Sequence, residues 1–170
     1  MHILTGIIVP AKDQNNNILS DDEIRWAAEE ALTPYEGDVW DWYANISSAG
    51  RWSEIYPRNV IRATDTDFFD IVDHLNDAQK NEMEFYTGND EDGRRLKSIS
   101  EYISEYKNNC TSSMQSFYLL QFAKLVYGAF TTESHIFDYE YGSSKITEKR
   151  ISEYKSDKDY YAIVLVDIHY

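Results

Sequence analysis

The chain has 170 residues, near the usual size of one domain, and can bury a real core without disulfides or metals. Thirty acidic against sixteen basic residues give a formal charge of −14, which repels phosphate backbones and argues against direct nucleic-acid binding. The single cysteine, Cys110, excludes an intramolecular disulfide and a cysteine-based zinc site, and no apolar run approaches the length of a membrane span.

His2–Val9 (HILTGIIV) is a short β-branched run closed by Pro10 and predicts a buried strand. After the polar turn Lys12–Asn17, Ser20 and Glu23 have capping-box spacing. Ile24, Ala27, Ala28, Ala31 and Leu32 then recur at helical intervals until Thr33-Pro34 ends the helix. From Val39 to Ile46 the pattern alternates. Trp40, Trp42, Ala44 and Ile46 share one face of the predicted strand, and Val39, Asp41, Tyr43 and Asn45 share the other. A loop with Gly50-Arg51-Trp52 leads to a further predicted strand, Asn59–Thr64.

Asp65 or Thr66 caps a second predicted helix with Phe68, Val72, Leu75 and Ala78 on one side, running to about Glu84. Gly88–Gly93 (GNDEDG) is a charged break. Arg94–Tyr106 is amphipathic, and Met114–Tyr127, apolar nearly all round, predicts a helix buried on several sides with Gly128 as its stop. His135–Tyr141 has strand character, and Lys145–Ser156 reads as polar. Tyr160–Ile168 (YYAIVLVDI) is the strongest strand signal, and its unbroken apolar run predicts a central place in a sheet. These elements predict a single α/β domain of the α+β type over residues 1–170. Its sheet is mixed or antiparallel, contains the N- and C-terminal strands, and carries about four helices packed on it.

Trp40-Asp41-Trp42-Tyr43 and Gly50-Arg51-Trp52 form the densest constellation. The Arg51 guanidinium suits a phosphate or carboxylate through its fork, with a Trp or Tyr stacking a ring. The alternative is that Arg51 pairs with Asp41 or Asp65 and the tryptophans pack in the core. Asp65, Asp67, Asp70 and His74 have metal-like spacing, although acids at a helix start are better explained by capping and the helix dipole. GNDEDG lacks the terminal carboxylates of a calcium loop. Asp167 and His169 alternate on one predicted strand and so share a face, a couple able to support acid–base work if a nucleophile stands opposite. No nucleophile elbow, P-loop or dinucleotide-binding glycine pattern supplies one, so no catalytic residue, metal or cofactor is assigned.

Through Trp40-Asp41-Trp42-Tyr43 and Gly50-Arg51-Trp52 the chain resembles a group of uncharacterised bacteriophage proteins with a W-D-W-Y-x-I-G-G-R-W motif. The resemblance continues at Asp65-Thr66-Asp67-Phe68 and at the closing Asp167-Ile168-His169-Tyr170. Asn45–Gly50 replaces the compact I-G-G, and Ile168 stands in place of a cysteine. The resemblance implies a phage-encoded accessory protein acting in the host bacterial cytoplasm. With the charge, it leads to the expectation of an antagonist of a host defence system, of anti-CRISPR or anti-restriction type. Such a protein would occupy the basic groove of a defence protein with its acidic surface. The alternative is a nucleotide-signal sponge or a small enzyme whose ligand site is Trp40, Trp42, Tyr43, Arg51, Trp52, Asp167 and His169. No leader is read at the N-terminus, so the sequons at Asn45 and Asn109 count as chance matches.

Overall fold

The computed structural model describes residues 2–36, 40, 43–87, 135–142 and 146–169. They contain the strands β1 (His2–Pro10), β2 (Tyr43–Asn45), β3 (Val60–Arg62), β4 (Ile136–Asp138) and β5 (Tyr161–His169). The helices are α1 (Asp21–Leu32), α2 (Phe68–Thr87) and α3 (Glu148–Ser156). The chain divides into two units, residues 1–79 with 133–170 and residues 80–132, and the sheet belongs to the first. The predicted helices at 94–106 and 114–127, the Gly88–Gly93 break and Cys110 lie outside the described residues.

β1 and β5 form the central antiparallel ladder, from His2↔His169 to Pro10↔Tyr161. On its other edge β5 receives two short strands in tandem, β2 opposite Asp167–His169 and β3 opposite Ala162–Val164, both antiparallel. β4 lies parallel to β1 on the far side, so the sheet is mixed. Asn59 fills the gap between β2 and β3. Its carbonyl accepts from Leu165 N–H at 2.7 Å, and its side-chain amide donates to the carbonyls of Ile46, at 2.7 Å, and Leu165. Buried backbone that no strand can pair is thereby satisfied.

Both central strands are covered on both faces, which explains their unbroken apolar runs. On one face Ile3, Ile7, Val9, Val164, Val166 and Ile168 meet Ile24, Ala28 and Leu32 of α1. On the other, Leu4, Ile8, Ile163 and Leu165 meet Phe68, Val72 and Leu75 of α2 and Tyr154 of α3. A Cβ on Gly6 would collide with Leu75 and Ile163, so glycine lets α2 approach β1 closely.

α1 starts where its local chemistry dictates. Ser20 Oγ accepts from Glu23 N–H, and Glu23 Oε2 accepts from Ser20 N–H at 2.7 Å. The Ser20 hydroxyl, donating to Glu23 Oε2 at 2.7 Å, and then the Ser20 N–H hold the Glu23 carboxyl below the usual carboxylate range. Two polar residues of α2 secure the returning chain. Asn76 exchanges hydrogen bonds with both backbone groups of Ile146, and Gln79 accepts from His135 N–H.

The polar stretch before β5 forms α3, an element its composition does not announce. Thr147 caps it by accepting from Arg150 N–H. Its inward face carries Arg150, only 6 % exposed, and Tyr154. The Arg150 guanidinium grips fully buried Asp138 at 2.9 and 3.1 Å and reaches Glu153 at 2.8 Å and Glu140 at 2.9 Å. Tyr139, Tyr141, Tyr154 and Tyr161 place their rings around it, 4.8–6.0 Å from centroid to guanidinium carbon. The Tyr154 hydroxyl donates to the same Asp138 carboxylate. No described helix is long and apolar enough to cross a membrane.

Removing one partner of a buried, hydrogen-bonded ion pair strands the other charge. Arg150→Met is therefore expected to cost about 3–5 kcal/mol, read as a lower urea midpoint at unchanged slope; a loss below about 1 kcal/mol would overturn this account of α3. Burial, and for Tyr154 the bond to Asp138, raises the pKa of Tyr139, Tyr154 and Tyr161 above the ordinary value of about 10. The folded state then keeps protons that the unfolded chain releases. This stabilisation is complete below pH of about 10 and is lost as pH rises past it. Absorbance at 295 nm should show a group of tyrosines that ionise only as the protein unfolds, and smooth titration of all of them near pH 10 would contradict it.

Candidate functional site

The residues that the sequence singles out separate onto two faces of the sheet. Trp42 lies outside the described residues, as does Asp41. Trp40, half-buried, packs with Ala44 and Ile46 on the α1 side. Tyr43, Asp167 and His169 belong to the opposite face. There β2, β5 and β1 bring Tyr43, His169 and His2 side by side. Their rings meet edge-on around His2, each with a centroid separation of 5.4 Å.

Asp167 sits beneath this row and is 2 % exposed. Its Oδ1 lies 2.9 Å from His2 Nδ1, and its Oδ2 accepts from the backbone N–H of Arg51 at 3.2 Å. Gly50 stands over the carboxylate with φ +53°, and a Cβ there would overlap both the carboxylate and the Cβ of Asp167. Asp167 and His169 do share a face, as the alternation requires, but the carboxylate is committed to holding the 50–52 turn and His2. The Arg51 side chain projects into solvent, while Trp52 is half-buried against the core beneath α2 and α3. Asp65 does not pair with Arg51. Its carboxylate accepts from Arg62 N–H at 3.0 Å and meets Arg58 at 3.4 Å, closing the turn after β3. Among the described residues no three His, Cys, Asp or Glu side chains are placed to hold a metal ion.

The α1 face carries a groove of about 680 Å³, bounded on one side by α1 and on the other by Glu36, Trp40 and residues 43–47. Leu32, Ala44 and Ile46 give it an apolar floor, and Trp26 and Trp40 supply indoles. Trp26 is 61 % exposed on a helix whose apolar side is turned to the sheet. Trp40 Nε1 is buried without a hydrogen-bond partner among the described residues. Of the acids on α1 and at Glu36, only Asp22, Glu29 and Glu36 line the groove, and they differ in their commitments. Asp21 pairs with Arg62 at 2.8 Å, Asp22 pairs with Arg25 at 2.7 Å, and Glu23 caps the helix. Glu29, Glu30 and Glu36 are exposed and have no side-chain partner among the described residues. Arg25 is held by Asp22 and by Asn59 at 3.0 Å, so it does not compensate them.

The sequence pattern around Trp26 contains this arrangement, because residues three and four apart on a helix are neighbours. Asp22, Glu29 and Glu30 therefore lie around the indole. His2, the partner of Asp167, has no such local signal, since 165 positions separate the two. No protein-family model, curated protein or solved structure matches the chain.

The 50–52 turn supplies a direct test of the structural role of Asp167. Gly50→Ala introduces left-handed strain of about 1–2 kcal/mol together with the overlap on Asp167. The variant should lose at least about 2 kcal/mol in urea unfolding. A midpoint equal to the parent's would show that the carboxylate and the turn are not locked together.

Proposed function

We propose that the protein acts by binding, and that it docks the acidic face of α1 on a basic surface of a partner protein. The observation that carries this reading is the set of uncompensated carboxylates, Glu29, Glu30 and Glu36, beside the exposed indole of Trp26. Charged rims speed and orient association, and aromatic residues supply much of the energy at interface centres. The resemblance to bacteriophage proteins makes a host defence protein with a basic groove the proposed partner, and the host cytoplasm the place of action.

The test is comparative capture from bacterial lysate with three proteins: the parent, a Glu29→Gln/Glu30→Gln/Glu36→Gln variant, and an Asp73→Asn/Asp77→Asn control altered on exposed positions of α2. The parent and the control should retain the same basic protein, and the α1 variant should lose it. With the purified partner, association should slow at least about tenfold between roughly 0.05 and 0.5 M salt. Equal capture by the α1 variant, or a rate that ignores salt, would end the proposal.

A further inference from the structure

The groove beside α1 specifies more than a sign of charge. We infer that it receives an arginine side chain projecting from a protein partner, with the guanidinium against Trp26 and its charge met by Glu29 and Glu36. This rests on the proposed basic-partner reading and goes further by naming the group that enters.

The occupant follows from the lining. A carboxylate, a phosphate or a second copy of this −14 chain would bring negative charge toward Glu29 and Glu36. A neutral apolar side chain would bury against Leu32, Ala44 and Ile46 but leave the carboxylates at the rim unanswered. A cation with an apolar stem answers both, since its methylenes cover the floor while its charged end remains at the rim. Between the two cationic side chains, the planar and weakly hydrated guanidinium stacks on an indole and forks onto a carboxylate. An ammonium keeps its water more strongly and offers no plane. The protein already shows this preference internally, where Arg150 lies among four tyrosine rings and takes three carboxylates. Arg25 does not fill the same role in the groove, because Asp22 and Asn59 hold its guanidinium.

The probes are three short peptides, identical except that three spaced positions are arginine, lysine or the neutral isostere citrulline. Each is titrated into the full chain at low salt by calorimetry. The arginine peptide should bind at least about threefold tighter than the lysine peptide and tenfold tighter than the citrulline peptide. Trp26→Ala, a change at a largely exposed position that keeps every charge, should weaken arginine binding by about fivefold. Glu29→Gln/Glu36→Gln should weaken it at least as much, and Asp73→Asn/Asp77→Asn should leave it unchanged.

If Trp26→Ala binds like the parent while Glu29→Gln/Glu36→Gln weakens binding, the groove inference falls and the basic-partner reading stands. The same follows if lysine and arginine peptides bind equally. Failure of the parent to bind either cationic peptide overturns both.

Discussion

The buried pair of Arg150 and Asp138 is the constraint around which one side of the molecule is organised. Asp138 ends β4 and also accepts from the backbone N–H groups of Glu140 and Tyr141, so it shapes the turn as well as receiving the guanidinium. Arg150 lies on α3, and its side chain fixes that helix against the end of β4. An ion pair in this position is not the most stable filling that chemistry allows, since a well-packed apolar cluster can equal or exceed it. It offers direction instead, because a fork meeting a carboxylate tolerates little rotation. The tyrosine-rich composition becomes intelligible here. A phenol presents an apolar ring face to the cation and a hydroxyl to the carboxylate, and one residue type meets both needs.

The two faces of the sheet differ in how completely they are used. Beneath α2 and α3 the polar groups are matched. Arg150 has its acids, Asn76 holds both backbone groups of Ile146, and Asp167 is roofed by the Gly50 turn. Along α1 the apolar stripe is sealed against β1 and β5, yet the edge toward β2 stays open, where Glu29 and Glu36 have no side-chain partner among the described residues and Arg25 is held by Asp22 and Asn59.

What the sequence disclosed depended on the range of the interaction involved. The start of α1 was legible because a capping box is contained within Ser20 to Glu23. β1 and β5 were legible because burial on both faces leaves unbroken apolar runs, and the central place read for β5 is its place in the sheet. α3 was not, since its buried residues are Arg150 and Tyr154, and a cation on a buried face breaks the apolar period. The strand predicted over Val39–Ile46 is ladder among the described residues only at Tyr43–Asn45, and the one predicted over Asn59–Thr64 only at Val60–Arg62, with Asn59 bridging the two short strands through its carbonyl and its side-chain amide. The described residues of the tryptophan-rich motif do not converge on one site. Trp40 packs on the α1 side, whereas Tyr43 shares the opposite face with Asp167 and His169, so density along the sequence became separation in space. The groove was readable only in part, through Trp26 and its helical neighbours; its second wall required knowing where β2 docks.

The pairing of β5 with β1, β2 and β3 also sets an order of events during synthesis. Every other described strand except β4 hydrogen-bonds to this one, and the ladder with β1 joins the two most distant strands of the described chain. A ribosome-bound nascent polypeptide lacking residues 161–169 offers the two short strands no partner and β1 only the three residues of β4. Maturation of the sheet therefore waits for translation to pass this segment, and a central ladder between strands so far apart in sequence is of the kind that forms slowly. Until then the apolar face of β1 stays uncovered by its partner, so crowded or hot cells would expose the newborn chain to chaperones before it can reach anything else.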